Sequence, residues 1–185
     1  MSRQIKLIVI HCSASPDGVS LFTGRPGDPV YLEPVQVVDG WHEKRGFHRK
    51  PEWRAQFNPQ LGHIGYHFLI YTSGAIVSGR HLDEVGAHVV GQNLNSIGVS
   101  QVGTDKFTRA QWKSLAAVID SLQRKYPGAS VVGHRDLSPD LNHDGTIEKW
   151  EWLKTCPGFD VAPWLARGMQ PDPAHVFDPE PATTA

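Results

Sequence analysis

The run IKLIVIHCS, Ile5–Ser13, is almost unbroken in apolar and β-branched residues, and it ends on a histidine. A half-exposed strand would alternate apolar with polar side chains, whereas an unbroken run reads as a buried strand. Further strand signals follow along the chain. IGYHFLIYTSGAIVSGR reads as a hairpin turning at Ser73-Gly74, SIGVSQVGT (Ser96–Thr104) as a strand, and ASVVGH as another. Helical signals lie between them. Pro34 opens a short helix closed by Gly46. Thr108 and Gln111 form a capping box, and Trp112, Leu115, Ile119 and Leu122 then recur on one face up to Tyr126-Pro127. Short helices are expected over Ile147–Leu153 and from Asp160 to about Arg167. Strands interleaved with helices predict an α/β fold, a single domain with a central mixed sheet flanked by helices. Residues 17–33 and 49–62 read as long irregular stretches. Residues 1–170 form the expected domain, and the Pro-rich segment 171–185 reads as a disordered tail.

The 185 residues suffice for one domain with a sizeable core. A formal charge of −1 gives no electrostatic reason to expect nucleic acid or an anionic membrane as partner. The N-terminus has no long apolar segment and no cleavage pattern, so the chain is expected to be made in the cytoplasm without a signal peptide. Its two cysteines, Cys12 and Cys156, are then not expected to form a structural disulfide.

Ten histidines invite a search for metal ligands. His11 ends a buried strand, where open sheets place their ligands. Cys12 points to the opposite face of that strand and is assigned to the core. A lone histidine there is more often structural, so the case for His11 depends on its company. His134 follows the strand SVVG, and Cys156 lies in the turn KTCPGF. Two imidazoles and a thiolate make a three-ligand zinc set with a fourth position open, the catalytic arrangement. Spacing alone leaves the set open, because the ligands are far apart in the chain. No His-Glu-x-x-His helix, Gly-x-Ser-x-Gly elbow or Gly-rich phosphate loop is present.

The motifs IVIHCSAS, GYHFLI…SGAIVSGR, GAHVVGQNLNSIGVSQVG and GHRD…KTCPGFD occur in that order. Together they resemble zinc-dependent N-acetylmuramoyl-L-alanine amidases of the phage-lysozyme type, relatives of the peptidoglycan recognition proteins. The resemblance runs from about Ile5 to Asp160 and implies that fold. It implies His11, His134 and Cys156 as zinc ligands, Tyr66 and Lys154 as catalytic residues, and His88 as a residue lining the substrate groove. His67, next to Tyr66, faces the other way and reads as structural. The implied activity is hydrolysis of the amide between N-acetylmuramic acid and L-alanine in peptidoglycan by a monomeric phage endolysin released to the wall. A cysteine as third ligand resembles the phage and recognition-protein branch, whereas the cytosolic wall-recycling amidases use aspartate. The alternatives are a peptidoglycan-binding module without catalysis or a cytosolic wall-recycling amidase, and a regulator of another macromolecule is a third class.

An acidic insertion separates His134 from Cys156. Asp140, Asn142, Asp144, Gly145, Thr146, Glu148 and Glu151 fill positions 1, 3, 5, 6, 7, 9 and 12 of the calcium-loop template. Alternating oxygens wrap a hard cation, glycine permits the sharp turn, Thr146 offers its carbonyl, Glu148 reaches through water, and Glu151 closes the site. Ile147 is expected to anchor the loop to the core. An acidic turn entering a helix N-terminus has the same composition. The expectation is a structural calcium beside the zinc.

Overall fold

The computed structural model describes residues 3–178. Five strands form one mixed sheet: β1 (Leu7–Cys12), β2 (Phe68–Ile70), β3 (Ile76–Ser78), β4 (Ser96–Gln101) and β5 (Ser130–Gly133), in the order β3-β2-β4-β1-β5. Only β3 runs antiparallel, as the partner of β2 in the expected hairpin. Gly74, at φ 86°, makes that turn. β1 lies between parallel neighbours β4 and β5, which explains its unbroken apolar run.

Helices cover both faces. The helices are α1 (Pro34–Lys44), α2 (Pro51–Gln56), α3 (Arg109–Lys125) and α4 (Val161–Ala166), and short 3-10 turns occur in the connections. The Thr108–Gln111 capping box opens α3 as the sequence indicates. Its buried stripe of Trp112, Leu115, Val118, Ile119 and Leu122 packs on Ile8, Ile10, Cys12, Ile97 and Val99. Each large apolar side chain so buried contributes about 1.5–3 kcal/mol relative to exposure. α1 supplies Val35 and Val38 to a second cluster with Ile64, Tyr66, Leu69 and Tyr71. Alternation along β1 therefore sends Cys12 to one cluster and His11 to the face that carries Tyr66.

Three expectations change. The stretch 49–62 contains α2, begun by Pro51, and it closes around Arg49. The Arg49 side chain is fully buried, pairs with Glu84 at 2.8 Å, and donates to the carbonyls of Phe57, Asn58 and Leu61. A six-residue helix without one buried residue leaves no periodic trace in sequence. The helix expected at Ile147–Leu153 is a single 3-10 turn, Lys149–Glu151. Of the segment read as a disordered tail, residues 171–178 are packed. Val176 bridges to Phe107, Trp112 Nε1 donates to the carbonyl of His175, and Phe177 lies over Gly18. Apolar side chains at 176 and 177 bury surface that the proline content obscures. Residues 179–185 of that segment lie outside the described residues.

Candidate active site

Register alone brings two of the candidate ligands together. Ile10 pairs with Gly133 across β1 and β5, so His11 and His134 leave adjacent parallel strands at the same level. Their ring centroids are 4.7 Å apart. The turn carrying Cys156 is then seated on β5. Pro157 fits where Gly133 has no side chain, and the Arg135 amide donates to the Cys156 carbonyl at 2.8 Å. Gly158, at φ 91°, passes so close to Thr104 that a Cβ would lie 2.2 Å from its carbonyl oxygen. Arg135 also stacks on Trp152 at 4.0 Å and pairs with Asp160, which binds both ends of this strap to the strand it follows.

The outcome is one group of potential ligand atoms, from His11, His134 and Cys156, all within 4.8 Å of one another. His11 Nδ1 lies 3.7 Å from Cys156 Sγ, and the Cys12 amide donates to the same sulfur at 3.2 Å. Burial holds the His11 imidazole well below its ordinary range, helped by the neighbouring histidines. His134 is pulled down to about 4 by burial and by Lys154. Both rings are therefore neutral near pH 7 and offer lone pairs. The Cys12 thiol and burial push the Cys156 thiol up. A soft sulfur and two imidazoles suit zinc or another thiophilic ion.

His134 lies at the meeting of two lobes of a cleft, about 280 and 360 Å³, and Cys156 lines the second. Both lobes share Phe47, His88, His134 and Lys154. The first is apolar, walled by Val89, Val90, Leu137 and Leu153. The second carries His42, Arg45, Tyr66 and Thr104. Lys154 is exposed at the junction. Tyr66 is buried, with its ring 5.1 Å from that of His11, and burial raises its pKa above the ordinary 10. His67 is fully buried between the Gly98 amide and the Glu84 carbonyl, on the far side from Tyr66.

His88 departs from a plain groove residue. It lines both lobes, but each ring nitrogen faces protein: Nδ1 is 3.0 Å from His11 Nε2 and Nε2 is 3.3 Å from Ser96 Oγ. His42 is a site residue that sequence reasoning passed over. It accepts from the Gly65 amide at 2.9 Å, its ring is 5.1 Å from Tyr66, and burial lowers its pKa to about 4. Its signal was its place on the buried face of α1 with Val35 and Val38, at helical spacing.

The acidic insertion forms a compact loop. Gly145, at φ 87°, donates its amide to Asp140 Oδ2 at 2.8 Å. Asn142 accepts from the Asp144 amide and Asp144 from the Thr146 amide. Glu151 is buried and accepts from the amides of Leu141, Asn142 and Glu148. Among the described residues, however, its carboxylates do not gather as the His-His-Cys group does. Ile147 is half-buried and outside both core clusters, so it does not anchor the loop. Trp152, stacked on Arg135, takes that role.

A family model described as N-acetylmuramoyl-L-alanine amidase matches residues 1–159. The endolysin of Escherichia phage T7 is 33% identical over 165 residues, 85% of this chain and 83% of that protein. The endolysin of Enterobacteria phage K11 is 32% identical over 167 residues, 86% of this chain and 84% of its own length. Among solved structures, the amidase LysC from Clostridium intestinale has the same fold, with a TM-score of 0.56 at 24% identity over 85% of this chain and 79% of that one. With a family model over most of its length and two phage proteins aligned over more than four fifths of it, the chain belongs to the N-acetylmuramoyl-L-alanine amidase family.

Proposed function

We propose that this protein is a zinc-dependent endolysin, a monomer that cleaves the amide between the lactyl group of N-acetylmuramic acid and L-alanine in peptidoglycan. The observation that carries the reading is the convergence of His11, His134 and Cys156 within 4.8 Å beside an open cleft. Their donor chemistry fits zinc with one position left for water or substrate. When bound, zinc would polarise the amide carbonyl and make water acidic enough to attack near neutral pH.

The chain's own groups do the rest. Lys154 brings a mobile positive charge to the junction of the lobes, where oxyanion charge develops. Tyr66, kept a neutral phenol by burial, donates a hydrogen bond to the same oxygen. Among the described residues no helix is long and apolar enough to cross a membrane. The proposed route to the wall is release from the cytoplasm, in keeping with the phage relatives named endolysin.

The test is mass analysis of purified peptidoglycan after digestion. We expect free L-alanine amino termini and peptide-free muramic acid on uncut glycan strands, with neither product formed by Lys154→Ala although zinc is retained. Wall binding without new amino termini would make the protein a binding module, and a cut at another bond would overturn the assignment.

The insertion is proposed as a structural calcium site formed by Asp140, Asn142, Asp144, the Thr146 carbonyl, Glu151 and, through water, Glu148. Support comes from Asp140 Oδ1, which is buried without a partner, and from the loop's sequence order. Saturation at a hundredfold excess over Kd would add about 2.7 kcal/mol, or roughly 5–10 °C in melting temperature for a chain of this size. Chelating calcium while zinc is retained should remove that increment. An unchanged melting curve and unchanged activity would leave the loop without a role.

A further inference from the structure

The ring of His88 has no spare nitrogen, and its partners form a chain with one direction. At the far end, Ser96 Oγ lies 2.8 Å from the Gln92 carbonyl oxygen. That carbonyl can only accept, so the Ser96 hydroxyl donates to it. The lone pairs of Ser96 Oγ then face His88 Nε2 at 3.3 Å and require a proton there. A neutral imidazole protonated at Nε2 has a bare Nδ1. His88 Nδ1 therefore accepts from His11 Nε2 at 3.0 Å. His11, with its proton on Nε2, presents a bare Nδ1, the atom 3.7 Å from Cys156 Sγ. One backbone carbonyl thus fixes the lone pair of a ring three groups away.

The surroundings hold this chain in place. A Cβ on Gly86 would lie 2.5 Å from His88 Cδ2, and one on Gly98 would lie 2.7 Å from His88 Cγ. The two glycines form a slot that the ring fills, so it cannot turn over. Asn93 Oδ1 accepts from the amides of His88 and Val89, at 2.8 and 3.0 Å, and fixes the backbone that carries the ring. His88 and Ser96 are both buried. A ring that merely lined the groove would need neither the slot nor two inward hydrogen bonds.

We propose that His88, oriented by Ser96 and the Gln92 carbonyl, is a positioning residue that locks His11 in its Nε2–H tautomer and sets the affinity of the metal centre. The inference rests on the zinc reading above. Outer partners of this kind fix ring orientation and raise ligand basicity.

Zinc affinity measured against a chromophoric chelator tests this, with no need for turnover. His88→Leu should weaken zinc about 10–100-fold, the usual cost of losing such a partner. His88→Asn, whose amide oxygen can stand where Nδ1 stood and accept from His11, should recover most of that loss. Ser96→Ala should fall between wild type and His88→Leu. Ring nitrogen-15 spectra of the wild-type protein give a readout that needs no variant, and they should show the proton on Nε2 of both His11 and His88. A His88→Leu protein that binds zinc as tightly as wild type would overturn the proposal, as would a proton on His88 Nδ1. A wild-type chain that binds no zinc would instead overturn the zinc reading, and this inference with it.

Discussion

Cys156→Ala is expected to weaken zinc binding by roughly 10²–10³-fold, taking one ligand's share of the 10–16 kcal/mol typical of four-ligand structural sites, and to abolish amide hydrolysis. Fold stability of the metal-free protein should change little, because the side chain is only half-buried. Lys154→Ala gives the contrasting result, zinc retained and turnover lost. The same centre sets a pH dependence with a definite slope. His134 is already neutral above about pH 5, since burial and Lys154 lower it to about 4, and burial holds His11 well below its ordinary value. They have no proton to give up. The thiol of Cys156 is pushed up by the Cys12 thiol and by burial, so it surrenders its proton only as the ion enters. One proton leaves per zinc, and affinity should rise about tenfold per pH unit between roughly pH 5.5 and 8. Chelator competition at a series of pH values checks this. A slope near two or three would mean that the imidazoles are protonated in the free protein.

The second large effect is acid unfolding. His67 is fully buried and holds its pKa at about 3, and His42 sits at about 4, in both cases through burial. Unfolded, each returns to about 6.5. Between pH 6.5 and about 4 the unfolded chain takes up protons that the folded chain refuses, so stability falls as pH falls. Above pH 6.5 neither form is protonated and the difference vanishes. At pH 4.5 each histidine costs about 2–3 kcal/mol, roughly 5 together, against a typical total of 5–15. Urea titrations of the metal-free protein from pH 7 to 4.5 should show at least this loss, because burial lowers His11, His88 and His134 in the same direction. His67→Gln should cut the slope by about one proton, whatever it does to stability at pH 7. Stability that stays level down to pH 4.5 would refute the account.

The elements that the sequence announced are those whose signal is local. β1 carries its burial in an unbroken apolar run, α3 carries a capping box and a stripe, and the hairpin carries Ser73-Gly74. The mixed sheet followed from their alternation. Individual ligand candidates were visible as histidines ending strands, but their convergence was not. That depends on the register of Ile10 with Gly133, which no local pattern encodes. The same limit hid the partner of His88: the contact with His11 spans 77 residues. Arg49 was hidden for another reason. A buried arginine is sequence-silent until Glu84 and three backbone carbonyls are seen around it. Residues 171–178 misled because proline content outweighed Val176 and Phe177, whose value lies in the surface that they cover.

The sulfur stands 145 residues downstream of the first imidazole. A growing polypeptide that has been synthesised only as far as the turn after β5, His134–Leu137, possesses both rings yet cannot complete the trio. Contacts of such long sequence separation form late, because the loop must be closed before they reward it. On the proposed zinc reading, hydrolytic competence therefore arrives as a single event near the end of synthesis and folding. Fragments released early, or clipped between Glu151 and Cys156, would keep most of the sheet and have no power to cut.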